Sequence, residues 1–100
     1  MEFLSREQII NELQQSFQPY MEKFDLDGIG IFEEEGKDNR YYLGYTAEKD
    51  GKTYHVHVPY IKNNFGALAP VKSEWTVESD DPQEEDRRGY NDVDSIFRTL

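Results

Sequence analysis

Between Arg40 and Lys62, apolar and polar positions alternate with a period of two on both sides of Asp50-Gly51. Successive side chains point to opposite faces of a strand, so the pattern predicts two half-buried strands. Asp-Gly is the dipeptide a two-residue type I′ turn prefers, because both central residues need φ above zero and Gly has no Cβ to clash. Pairing outward from that turn sets Lys49 against Lys52, Ala47 against Tyr54, Tyr45 against Val56, Leu43 against Val58 and Tyr41 against Tyr60. The last four pairs make one apolar face. The other face receives Thr46 with His55, Gly44 with His57 and Tyr42 with Pro59, and reads as mostly polar. A slip of one residue would set Tyr54, Val56 and Val58 against Tyr42, Gly44 and Thr46, so the register is strongly specified.

Upstream, the apolar period changes from two to between three and four. Ile9, Ile10, Leu13 and Phe17 fall on one helical stripe. Ser5 and Gln8 have the spacing of a capping box, and Leu4 and Ile9 that of a hydrophobic staple. The helix is predicted over 5–24 with a break near 19, because Pro19 lacks an N–H and restricts the residue before it. Ile29 to Glu35 reads as a first strand. A four-residue turn over Gly36-Lys37-Asp38-Asn39 would put Ile29 and Ile31 on the polar face. An odd loop with a bulge at Gly36 or Asn39 instead sets Ile31 opposite Leu43 and Ile29 opposite Tyr45.

Downstream, 71–79 alternates as a fourth strand that places Trp75 and Val77 on one face, and 80–90 reads as an acidic surface loop. Asn91 is placed to cap a short helix over 92–99, with Val93, Ile96, Phe97 and Leu100 as its stripe. The strand predictions are 29–35, 40–48, 53–62 and 71–79. The predicted class is therefore α+β: an N-terminal helix packed on a four-stranded antiparallel meander, plus a short C-terminal helix. In architecture alone, a helix laid across such a sheet resembles the cystatin or helix-grip arrangement, and it implies no function.

Composition narrows the function classes. One hundred residues are enough for one domain and one modest core. With no Cys there is no disulfide framework, thiol nucleophile or thiolate zinc site. No apolar run approaches a membrane span, and MEFLSREQ is acidic and polar where a targeting sequence is basic, so a cytoplasmic location is expected. The 21 acidic against 11 basic residues give a formal charge of −10, which repels nucleic-acid phosphate and favours a basic protein partner, a cation or plain solubility.

Three stretches hold candidate chemistry. His55 and His57 stand about 7 Å apart on one strand face with Tyr42, and could serve a small ligand, a metal or a pH response, or simply line the wet side of the sheet. A metal requires a third ligand, so neither metal nor cofactor is expected from this pair alone. Phe65 and Leu68, in the loop after the third strand, either form a recognition patch or tuck under the sheet edge. Asp80, Asp81, Glu84, Glu85 and Asp86 suit a basic surface on another protein, without the spacing of an EF-hand. Ser5, Ser16, Ser73, Ser79 and Ser95 sit in no nucleophile elbow, and no helix pattern follows Gly28-Ile29-Gly30. The expected role is non-catalytic binding of another protein, of immunity, inhibitor or adaptor type, by a monomer or weak dimer. A ligand or metal domain built on His55 and His57 is the alternative.

Overall fold

The computed structural model describes residues 2–81, 83 and 85–100. The chain runs α1 (Arg6–Gln14), α2 (Phe17–Lys23), β1 (Gly28–Glu35), β2 (Arg40–Lys49), β3 (Lys52–Lys62), β4 (Leu68–Pro70), β5 (Trp75–Ser79), β6 (Arg87–Tyr90) and α3 (Val93–Phe97). It is a small α+β fold, an antiparallel sheet with helices before and after it in the chain. That sheet has six strands, where four were expected, in the order β1-β2-β3-β5-β6, with β4 also pairing β3.

The β2–β3 hairpin has the register derived from its turn, from Lys49 opposite Lys52 through to Tyr41 opposite Tyr60. Asp50 and Gly51 take φ of 52° and 79°, as a type I′ turn requires. The β1–β2 connection is odd in length, with Gly36 inserted between the Lys37–Arg40 turn and the Glu35–Tyr41 pair. This keeps Ile29 and Ile31 on the apolar face. Their partners are nevertheless displaced by two residues from expectation, to Ala47 and Tyr45. Positive φ at Asp38 and Asn39 makes Lys37–Arg40 itself a tight turn, which moves the centre of the pairing one residue along the chain and so shifts the register by two.

The added strands have two origins. Along β3, going from Tyr60 to His57 takes three residues, while the opposing chain goes from Pro70 to Thr76 in six. Three extra residues therefore bulge out between β4 and β5, so that the predicted 71–79 strand survives only as β5, and β4 forms in the stretch expected to be a loop after the third strand. Beyond it, β6 lies within the segment expected to be a loop over 80–90. Its residues Arg87–Tyr90 carry almost no apolar pattern, and they enter the sheet by backbone pairing of Trp75 with Tyr90 and Val77 with Arg87. Charged side chains suit such an edge strand, where one side faces water.

The N-terminal helix starts with the expected capping box between Ser5 and Gln8. It breaks at Gln15–Ser16 rather than near 19. Pro19 then falls in the first turn of α2, where an N–H has no intrahelical acceptor and its absence costs little. α2 closes on a Schellman motif: Asp25 takes φ 53° and the N–H of Leu26 donates to Met21 O at 3.1 Å. At α3 the capping residue is Asp92, not Asn91, and its side chain accepts from Ser95 N.

All three helices lie on one face of the sheet. Their contact is centred on Tyr45, whose ring meets Phe17, Tyr20, Trp75 and Phe97 with centroids 5.6–6.4 Å apart. The Tyr45 hydroxyl donates to Leu13 O at 2.8 Å, and burial pushes its pKa up to about 12. Leu43, Val56, Ile96 and Phe97 are fully enclosed around it. α3 packs beside α2 through Phe97 against Tyr20 and Phe24, so it leaves the His55 and His57 face uncovered. No described helix is long and apolar enough to cross a membrane.

Candidate functional site

The face opposite the helices is built on one row across four strands: Phe32, Gly44, His57 and Thr76. Gly44 decides its shape. A Cβ there would run into Val56 O and stand 2.7 Å from His57 Cα, so β2 and β3 approach more closely than any other residue permits. With no side chain in between, the Phe32 ring reaches over β2 and stacks on His57 with centroids 5.0 Å apart. It meets His55 at 5.0 Å as well, and Tyr42 approaches His57 edge-on at 5.5 Å. His57 is thereby buried to 8% exposure, where a solvated position was expected.

Both imidazoles are tied to acids. His57 Nε2 lies 3.2 Å from Glu78, and its Nδ1 is enclosed and, among the described residues, has no hydrogen-bond partner. In the neutral ring the proton therefore belongs on Nε2, where it has an acceptor. His55 Nδ1 lies 3.1 Å from Thr46 Oγ1, and its Nε2 is 3.5 Å from Asp80. Every imidazole nitrogen is engaged or enclosed. Among the described residues no three His, Asp or Glu side chains form a group fit for a metal ion, so the third ligand that a metal needs here is not found.

Beside His57 the surface opens into a groove of about 480 Å³. Its aromatic and apolar lining comes from Tyr42, Pro59 and Val71, and one wall is the bulge that interrupts β4 and β5. Arg40, Lys72 and Arg88 line it together with Glu34, Glu74 and Glu78. The bulge and β6, neither of which the alternation revealed, supply Lys72, Glu74 and Arg88.

The remaining candidates separate. Leu68 is 1% exposed, paired through its backbone with Leu4 and packed in the core near Ile9 and Leu43, so it is not part of a recognition surface. Phe65 is 95% exposed at the tip of the β3–β4 connection. That tip is held by Asn63, whose Oδ1 accepts from the N–H groups of Phe65 at 2.9 Å and Ala67 at 3.0 Å. Of the acidic run, Asp80 faces His55, Asp81 Oδ1 accepts from Gln83 N, and Asp86 borders the groove. Glu85 lines a second cleft with Tyr54 and Arg87, and Glu84 lies outside the described residues.

No curated protein matches this chain. A family model, described as a family of unknown function, DUF5634, matches residues 3–100. The match takes in α1 through α3 and both faces of the sheet, and the chain belongs to that family.

Proposed function

We propose that the chain is a non-catalytic protein-interaction module, of immunity, inhibitor or adaptor type, that engages its partner through Phe65. One observation carries this role: a phenylalanine 95% exposed on a loop whose backbone is fixed by Asn63. A large apolar side chain on an ordered loop loses little conformational freedom on binding, and such anchors carry much of an interface's energy. The formal charge of −10 favours a partner with a basic surface around the pocket that receives the ring. A binding role rather than catalysis suits His55 and His57, since neither presents an open ring nitrogen to a substrate.

The test compares the wild-type chain with Phe65→Ala as immobilised bait, with quantitative identification of what each retains. The expected result is a basic protein held by the wild type and lost by the variant. Its binding should weaken several-fold when salt rises from about 0.05 to about 0.5 M. Equal retention by Phe65→Ala, or binding indifferent to salt, overturns this role.

A further inference from the structure

The groove beside His57 carries charges of both signs that do not satisfy one another. Arg40, Lys72 and Arg88 line it, and among the described residues none of them enters an ion pair. Glu34, Glu74 and Asp86 line the same groove and are likewise unpaired, while Glu78 is held by His57. Charges serving only the fold would gain by pairing across so small a space.

The groove is also built on firm ground. Its base includes Tyr42 and His57, the latter held by the stacked Phe32 ring, and its wall is a three-residue insertion on either side of which pairing with β3 continues. Its volume of about 480 Å³ falls within the range of small-ligand sites.

We infer that this groove binds a ligand carrying a cationic and an anionic group in one molecule, of about the size of a dipeptide. A dianion would meet four carboxylates, and a dication would meet three basic side chains. A ligand with both charges pairs with each set and meets neither as a repulsion. Tyr42, Pro59 and Val71 offer its backbone an apolar surface. The site is separate from Phe65.

The experiment is a backbone-amide NMR titration of the full chain with the dipeptide Lys-Glu, beside succinate and 1,4-diaminobutane. Lys-Glu should move the amides of Lys72, Thr76 and Arg88 and saturate near about 1 mM, with the two single-sign probes at least tenfold weaker. The double variant Lys72→Ser, Arg88→Ser should weaken the response about tenfold while the Leu43 and Val56 amides keep their positions. Acetyl-Lys-Glu-amide distinguishes the sources: equal binding indicates a mixed-charge segment of a protein, and binding of the free dipeptide alone indicates a free small molecule. Absence of saturable shifts with either peptide up to about 10 mM, or an equal response to succinate or diaminobutane, overturns the inference. Phe65→Ala should leave the titration unchanged, so failure here and failure of the Phe65 interface are told apart.

Discussion

Phe32 stacks on His57 with planes 21° from parallel, although a whole strand separates them. The contact exists because the intervening position is Gly44. Two glycines on this face therefore have opposite expected sensitivities. At Gly44 an added Cβ collides with Val56 O and the His57 backbone, whereas at Gly30 it meets nothing within 4 Å.

Gly44→Ala should destabilise the fold by about 3 kcal/mol or more, because β2 and β3 must separate to admit the methyl group. Gly30→Ala should be neutral or stabilising by about 0.5 kcal/mol, through reduced freedom of the unfolded chain. Urea unfolding of the two variants decides it. Equal losses would mean that close strand approach is not what selects glycine at position 44.

The His57 tautomer is a second expectation. With Glu78 at 3.2 Å from Nε2 and no partner at Nδ1 among the described residues, the neutral ring should carry its proton on Nε2. Ring nitrogen NMR distinguishes the two forms directly. In Glu78→Gln the preference should weaken, since an amide oxygen accepts less strongly than a carboxylate. A wild-type ring protonated on Nδ1 would contradict the geometry.

Tyr45 connects the sheet to both halves of the N-terminal helix. Burial raises its pKa to about 12, and Tyr60 is raised for the same reason. A tyrosine raised in the folded state stabilises the fold fully below its ordinary pKa of about 10, and that contribution is lost as pH climbs through about 12. Phenolate absorbance should accordingly show a late-titrating tyrosine that disappears in Tyr45→Phe. The variant should also lose about 1 kcal/mol at neutral pH, by removing the phenol's hydrogen bond to Leu13 O, which then keeps only backbone donors such as Ser16 N.

What the chain discloses before folding follows from how each element is held. The β2–β3 register was readable because Asp50-Gly51 and the alternation of Tyr41 through Tyr60 impose the same pairing. The Ser5–Gln8 cap was readable because it is local. β6 was not, since Arg87–Tyr90 joins the sheet through backbone hydrogen bonds, which do not depend on which side chains it carries. The bulge between β4 and β5 left no periodic trace either, and with it went Lys72. The burial of His57 was hidden for a third reason. It needs Phe32 from one strand and the missing side chain of Gly44 from another, a coincidence visible only once the β1 register is known. Leu68 and Phe65 looked alike as apolar residues in one loop. The Leu4–Leu68 bridge, across most of the chain, draws one inward and leaves the other outside.

The junction of α1 with β1 gives the acid-side prediction. Arg6 reaches Glu33 through two nitrogens, Nε and Nη2, the latter at 2.8 Å from Oε1. This hydrogen bonding holds the Glu33 pKa below the usual carboxylate range. A carboxylate lowered in the folded state contributes stability that is present above its ordinary pKa and lost as pH falls through the lowered value. Both side chains are partly exposed, at 44% and 29%, so solvent screening limits the pair to about 0.5–1 kcal/mol. Glu33→Gln should therefore cost that much near neutrality, and the cost should shrink as pH falls through the lowered Glu33 value and the wild-type carboxylate takes up its proton. Added salt of about 1 M should shrink the neutral-pH difference as well. Denaturation of both proteins across this range measures it, and a difference that persists unchanged into acid would remove the ion pair as its cause.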